Sequence, residues 1–491
     1  MSLTLVELKT VKYFPENAFP KVCNMSSQPV TSQPPLSLEP GEIAVRIRDG
    51  ALTIGVVGLG WMGLPTACLY ADAGARVIGA DMNPKVVERV NKGDTPIEEP
   101  GLSAMMKKAI KAGKLSASTS TEEAVANSDI LFIVVPTMID RQKRADYSAV
   151  EDACVSIGKG LRNGSLVIFE STCGPGVTER VVKSTIEKYS GLVAGQGFGL
   201  AYSPIRAMGG RALQDMQSYG KIVGAIDKKS LEAACAALSV IVKGELIRVR
   251  DIKTAELSKL FETIYRDVNI ALANEFALLC EEVGVDYVET MKAANSQPYS
   301  HLHSTGVGVG GHCLPVYPYL LATEAFALDA RLRLVLDARK VNDLMPRHVA
   351  KLASDGLRSC GKSLKRAKVV VLGVSYRPNV KETRYSPSLD LIALLKKRGA
   401  RVIAFDPLYN SSEMESMGLI SEPTLRRAIE KADCVILTVA HDEFKTMDTI
   451  ELAAHMSRQG LIVDCTGIMD PASVEKSGLI YRATGRGLWT R

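Results

Sequence analysis

A glycine-rich stretch set between two apolar runs constrains this chain more than any other feature. Residues 52–57 are apolar and β-branched, as a buried parallel strand requires. They lead into Gly58-Leu-Gly60-Trp61-Met62-Gly63, then a helix-like stretch over 64–73, a stop at Gly74 and a second strand over 76–80. Asp81 ends that strand, eighteen residues after the third glycine. GxGxxG alone is a weak signal. Between a strand and a helix, with an acid at this spacing, it is the dinucleotide-binding fingerprint. Gly58, Gly60 and Gly63 permit the tight turn and the close approach of a pyrophosphate, with Trp61 and Met62 in the same loop. The helix N-terminus adds free N–H groups and a positive dipole end. Asp81 would accept hydrogen bonds from both ribose hydroxyls and repel a 2′-phosphate, so the expected cofactor is NAD. The competing reading is a purely structural glycine turn.

Further strand-and-helix units follow. Residues 129–135 and 165–170 read as buried strands, ending at Pro136-Thr137 and at Ser171-Thr172. Ligands of doubly wound sheets sit at the carboxyl ends of strands, which makes Thr137 and Thr172 candidate cofactor contacts. Ordinary capping of strand ends explains the two hydroxyls equally well.

Composition narrows the class. A chain of 491 residues allows roughly three domains. With 46% hydrophobic and 23% charged residues it reads as a soluble globular protein. Ten cysteines without CxxC spacing argue against a disulfide framework or a metal site, and for a reducing, cytoplasmic setting. No apolar run approaches the roughly 20 residues of a membrane span. A net charge of +6 is mild, and no basic helix interleaved with aromatics suggests nucleic acid.

From 251 to 292 apolar residues recur at helical spacing, longer than an ordinary globular helix and suited to spanning domains or pairing with a twofold mate. Lys259 lies on it; alone, it reads as a solvated lysine. Next comes Gly306-Val-Gly308-Val-Gly310-Gly311-His-Cys313-Leu-Pro, too glycine-rich for a regular element. It is either a shaped loop presenting a nucleophilic thiol or a flexible turn beside a buried cysteine. Residues 367–373 repeat the strand-into-glycine opening, and further strands at 401–407, 433–438 and 461–464 make a second, degenerate α/β sheet. The expected fold is α/β: two Rossmann-like doubly wound parallel-sheet domains joined by a long central helix. The expected boundaries are a tail at 1–40, a dinucleotide domain at 41–245, a central helical domain at 246–345 and a second Rossmann-like domain at 346–491.

Together these stretches resemble the UDP-glucose/GDP-mannose dehydrogenase family over about residues 50–487. The specific motifs are the glycine loop at 58–63, Glu170-Ser-Thr172 with Gly174-Pro-Gly176, Ala255-Glu-Leu-Ser-Lys259, Gly308-Val-Gly-Gly-His-Cys313 and Leu372-Gly-Val-Ser-Tyr376-Arg377-Pro-Asn leading to Thr383-Arg384. Pro136-Thr137, the run 265–275 and the run 480–487 are most similar to the N-acetylhexosamine branch, whose enzymes oxidise UDP-N-acetylmannosamine or UDP-N-acetylglucosamine to the uronic acid for cell-surface polysaccharide. The resemblance implies NAD-dependent, four-electron oxidation at C6 through a thiohemiacetal and a thioester on Cys313. Lys259 would stabilise the C6 oxygen, and Arg384 would reach the diphosphate. Arg206, Asn269, His303, Gly308, Gly310, Gly311, Tyr376 and Arg377 complete the implied UDP-sugar site. A homodimer built on the long helix is expected.

Three positions around this chemistry depart from the family pattern. Ile205 stands for a glutamate, Thr263 for an asparagine and Tyr317 for an aspartate; Thr263 and Tyr317 remain candidate catalytic residues with Cys313 and Lys259. Lys381-Glu382 replaces Asp-Asp. Isoleucine exchanges no proton, and tyrosine is neutral near pH 7. Two rival expectations are therefore a nucleotide-sugar-binding paralogue with impaired or aldehyde-stopping chemistry, and a 3-hydroxyacid-type dehydrogenase. The Cys313 loop and the second sheet count against the latter.

Overall fold

The apolar β-branched runs form two sheets in the computed structural model, which describes residues 33–487. Most of the expected tail therefore lies outside the described residues. Its last part is a helical turn, Pro35–Ser37, with Leu36 buried, followed by the helix Pro40–Arg48.

The first sheet has eight strands in the order Leu246–Arg248, Lys221–Ala225, Gly199–Tyr202, Leu166–Phe169, Ile130–Ile133, Thr53–Val57, Arg76–Ala80, Leu115–Ser118. Gly199–Tyr202 and Lys221–Ala225 run antiparallel; the other neighbouring pairs are parallel. Thr53–Val57 is buried along its whole length, as expected where helices cover both faces. The strand order reverses between Thr53–Val57 and Ile130–Ile133, so a crevice opens at their carboxyl ends, where Gly58 and Val134 lie.

The second sheet is entirely parallel, in the order Arg401–Phe405, Lys368–Leu372, Cys434–Leu437, Leu461–Asp464, Ile480–Ala483. It reverses between Lys368–Leu372 and Cys434–Leu437, repeating the plan of the first.

The central helix is Ile252–Val283, 32 residues, or about 48 Å long. Asp251 caps it by accepting from the Thr254 amide at 2.8 Å. The helix expected to reach 292 stops at Gly284, whose φ of 77° ends it in the left-handed conformation. Asp286 then caps a separate helix, Tyr287–Ala294.

A second long helix, Arg333–Ser359, packs along the first, and the boundary expected at 345/346 falls inside it. Three polar rungs join the pair. Arg339 donates to Asp267 at 2.7 Å, Asn274 donates to Asn342 at 3.0 Å, and His348 contacts Glu281 at 2.9 Å. Asp267, Asn274 and Glu281 are two turns apart on one face of the central helix. Pro346 sits within the second helix and has no N–H to offer the Asn342 carbonyl. That carbonyl faces Gly308: a Cβ at Gly308 (φ 131°) would lie 3.0 Å from it and 3.0 Å from Pro387 Cβ. The glycine loop thus approaches the helix at the turn that carries Pro346.

Candidate active site

The nucleotide side is built from backbone. Gly58 has φ 94°, and a Cβ there would lie 2.4 Å from the Val134 carbonyl oxygen. A Cβ at Gly63 would lie 1.8 Å from the Gly58 carbonyl oxygen. These two glycines are demanded by the turn itself. A Cβ at Gly60 would meet nothing within 4 Å, so its open face is free for a ligand. Asp81 accepts from the Leu59 amide at 2.9 Å through Oδ2 and from the Asn83 amide at 2.9 Å through Oδ1, which fixes its carboxylate beside the glycine loop. Thr137 Oγ1 donates to the Thr172 carbonyl at 2.7 Å, tying two strand ends of the crevice. Trp61 and Met62 are half-buried, and Trp61 packs near Gly209. This surface fits a dinucleotide: an open glycine face, a helix N-terminus and an acid held where a ribose would sit.

The thiol side lies between the central helix and the glycine loop. Lys259 is 7% exposed. Burial pulls its pKa below the ordinary lysine value; Glu262 and Cys313 oppose that shift, and Arg266 and Arg206 add to it. Cys313 is half-buried, and its thiol donates to the Tyr317 hydroxyl at 3.3 Å. Burial drives the Tyr317 pKa well above its ordinary value, with the neighbouring Cys313 pushing the same way and the Thr172 side chain opposing. The cysteine is held by main chain: its carbonyl accepts from the amides of Val316 at 3.1 Å and Tyr317 at 2.8 Å. Thr263 lies one turn after Lys259 on the same helix face, its hydroxyl donating to the Lys259 carbonyl at 3.1 Å. Ile205 packs against the core of the first sheet.

The third wall comes from the second sheet. A Cβ on Gly310 would lie 2.7 Å from the Tyr385 carbonyl oxygen, and one on Gly311 (φ 91°) 2.7 Å from the Tyr376 ring. The Gly311 amide donates to the Arg384 carbonyl at 2.9 Å. Arg377 Nη1 has the Met208 thioether as partner at 3.4 Å, a weak acceptor that leaves most of its charge available. Arg384 Nη1 contacts His312 Nδ1 at 2.9 Å.

The side chains of two other sequence candidates are otherwise occupied, and a third is held through its main chain. Arg206 donates to Glu262 at 2.8 Å and to the Gly220 carbonyl at 2.9 Å. Asn269 turns its amide back to the Tyr265 carbonyl at 2.7 Å. The His303 carbonyl accepts from the Tyr287 hydroxyl at 2.6 Å.

Sequence reasoning missed two anchors. Glu256 is fully buried and accepts from the Gly176 amide (2.5 Å), the Thr178 amide (2.9 Å), the Thr178 hydroxyl (2.6 Å) and the Cys173 thiol (3.4 Å), locking the 174–178 turn to the central helix. Asn274 accepts from the Thr305 hydroxyl at 2.9 Å and the Gly306 amide at 3.2 Å, fixing the start of the glycine loop. The signal for Glu256 was its place in a motif beside Lys259; Asn274 had only its place in the run 265–275.

Comparison with known proteins agrees with this geometry. Residues 52–240 match the NAD binding domain of the UDP-glucose/GDP-mannose dehydrogenase family, 253–344 its central domain and 370–471 its UDP binding domain. The UDP-N-acetyl-D-mannosamine dehydrogenase of Methanococcus maripaludis is 34% identical over 440 residues, 88% of this chain and 97% of that protein. The structure of the UDP-D-ManNAc dehydrogenase of Pyrococcus horikoshii superposes with a TM-score of 0.80 at 32% identity, covering 89% of this chain and 99% of that one. A UDP-glucose dehydrogenase from Pyrobaculum islandicum follows at 0.79 and 28%, covering 89% and 98%. Such a fold, with its dinucleotide crevice, is that of an NAD-dependent oxidoreductase acting on an alcohol. The chain belongs to the UDP-glucose/GDP-mannose dehydrogenase family.

Proposed function

We propose that this protein oxidises the C6 alcohol of UDP-N-acetylmannosamine to the uronic acid through covalent catalysis at Cys313. The observation that carries the reading is the thiol itself. A backbone-fixed glycine loop holds it near the buried Lys259, whose pKa responds to it, between a dinucleotide crevice and a second α/β unit. The relatives named for UDP-N-acetylmannosamine support the choice of sugar. We take 41–245 as the NAD unit and the last sheet as the UDP unit, its start moved to the end of Arg333–Ser359.

Gly58, Gly60, Trp61, Met62, Gly63 and Asp81, with Thr137 and Thr172, would hold NAD, which when bound accepts the hydride of each oxidation. The buried ammonium of Lys259 holds the C6 oxygen and stabilises negative charge on it. The Cys313 thiolate adds to the C6 aldehyde, giving a thiohemiacetal; loss of the second hydride leaves a thioester, and water releases the carboxylate. Arg377 and Arg384 bind the diphosphate, with Tyr376 and the closely packed glycine backbone of Gly308, Gly310 and Gly311 beside it. Arg206 and Asn269 reach substrate only by changing their present partners, and the His303 ring would join them. The free thiols suit a cytoplasmic reaction.

One observation favours a slower second half-reaction. Among the described residues the thiol's hydrogen-bond partner is the Tyr317 hydroxyl at 3.3 Å and not a carboxylate. Tyr317, neutral and hydrogen-bonded to the thiol, stands where a carboxylate would activate water. The test is incubation with NAD and a panel of UDP-sugars, following NADH and product mass. UDP-N-acetylmannosamine giving an acid and two NADH is the expected outcome. One NADH with an aldehyde product identifies the truncated reaction, and no NADH with any sugar overturns the enzymatic reading.

Asp81→Ala tests the cofactor assignment. Loss of a charged acceptor for ribose is expected to raise the KM for NAD by about 10- to 100-fold and to bring NADP into use. An unchanged NAD-to-NADP preference would contradict it.

We also propose a homodimer along the central helix. Phe261, Tyr265, Leu272, Phe276, Leu279 and Val283 form one stripe, with Phe261, Tyr265, Leu279 and Val283 about three-fifths exposed (58–61%). A twofold axis brings two such stripes together, and the intervening Arg266 and Glu275 supply both signs of charge. Light scattering is expected to give a dimer for the native chain and a monomer for Phe276→Asp/Leu279→Asp. A monomeric native chain would refute the pairing.

A further inference from the structure

One side chain beside the thiol has a geometry that none of the roles above uses. His312 bridges two charged groups. Its Nε2 lies 3.0 Å from Glu382 Oε2, and its Nδ1 lies 2.9 Å from Arg384 Nη1. A guanidinium only donates, so Nδ1 must present its lone pair. The proton then sits on Nε2 and is donated to Glu382. A single neutral tautomer satisfies both contacts, and a doubly protonated ring would set N–H against N–H at Arg384.

The bridge has an electrostatic consequence. Glu382 is two residues from Arg384, and a direct ion pair would consume the cation. The imidazole stands between them instead, and among the described residues Arg384 makes no ion pair with a carboxylate. Its guanidinium is oriented by a neutral acceptor; it helps hold the Glu382 carboxyl below its ordinary value through space, yet makes no salt bridge with it and can still meet another anion. It is also exposed. The main chain ties the same two segments together: the Gly311 amide donates to the Arg384 carbonyl at 2.9 Å, and the Tyr376 amide to the Glu382 carbonyl at 2.9 Å. His312 thus joins the thiol loop to the segment 382–384 of the second α/β unit, one residue from the thiol itself.

We infer that His312 is a positioning residue: it holds Arg384, in one tautomer and unneutralised, for the diphosphate of the nucleotide substrate, with Glu382 as its own anchor. The inference rests on the proposed UDP-sugar reading. It assigns the histidine to substrate recognition, not to proton transfer. The glutamate at 382 has the reach to the ring that the assignment needs.

The test is calorimetric titration of the full-length protein with UDP and with uridine, which lacks both phosphates. Arg384→Met and His312→Phe are each expected to weaken UDP binding by about 10- to 100-fold, the range for a charge-assisted hydrogen bond. Uridine binding stays unchanged, and the double variant is no weaker than Arg384→Met alone. Two further variants guard against misfolding. In His312→Asn the Oδ1 atom occupies the Nδ1 position and can accept from Arg384, so UDP affinity stays within about threefold of native. His312→Gln restores only the Nε2 end, so it falls with His312→Phe. Steady-state turnover of UDP-N-acetylmannosamine should show the same order in KM, with kcat little changed. Native-like UDP affinity in His312→Phe or His312→Gln, or equal losses for uridine, would overturn the positioning role alone. Failure of the native protein to bind UDP would overturn the UDP-sugar reading with it.

Discussion

Cys313→Ala is expected to lower uronic-acid formation by about 10⁴-fold or more, the scale of loss when a covalent nucleophile is deleted. The fold should not suffer. The loop is held by main-chain bonds, from Val316 and Tyr317 to the Cys313 carbonyl and from Gly311 to Arg384, and none of them uses the thiol. The thiol's hydrogen bond goes to the Tyr317 hydroxyl, an exchange worth about 1 kcal/mol. Without sulfur the aldehyde has no covalent acceptor and the second oxidation has no thiohemiacetal to act on. The first oxidation needs only Lys259 and the cofactor. One NADH per sugar, with an aldehyde captured by hydroxylamine, is the expected residue of activity. A melting temperature close to native separates this from collapse of the loop.

Lys259→Met is expected to reduce kcat by about 10²–10³-fold, the cost of removing one preorganised partner of a developing oxyanion. The same substitution should leave the protein at least as stable. An ammonium on a side chain 7% exposed is desolvated, and its depressed pKa records that cost. Methionine has similar length and no charge to bury. A structural lysine would show the opposite pattern, with stability falling and the activity of the folded fraction retained. Unfolding in urea and single-turnover NADH formation on one preparation distinguish the two. The depressed pKa also fixes the sign of a pH effect. Lys259 loses its proton at lower pH than an ordinary lysine, so oxidation should fade on the alkaline side earlier than that value suggests, and the fade should be absent from the residual rate of Lys259→Met.

Much of this site was legible in the sequence because its logic is local. Gly58, Gly60 and Gly63 are spaced by the turn they make, and Asp81 by the length of one helix and one strand. The Cys313 loop announced itself by glycine density. What could not be read depends on partners brought together by the fold. The boundary expected at 345/346 falls inside a continuous helix, and Pro346 there leaves the Asn342 carbonyl lying against Gly308. Thr263 shares a helix face with Lys259, but its hydroxyl bonds the preceding turn, a partner that spacing alone does not show. Arg206 reads as a free cation until the helix brings Glu262 within 2.8 Å. The bridge through His312 spans about seventy residues of sequence, so spacing carries no trace of it. The central helix was expected to run through 284, and a single glycine in the left-handed conformation ended it.

The most direct test of the central claim is a rapid-quench experiment with NAD and UDP-N-acetylmannosamine, combining peptide mass analysis with an NADH count. Covalent chemistry at Cys313 predicts a sugar adduct confined to the peptide that carries Cys313 and two NADH per acid released, with the adduct accumulating because Tyr317 replaces a carboxylate. Acid formation by Cys313→Ala at the native rate, with no adduct on the native protein, would contradict it.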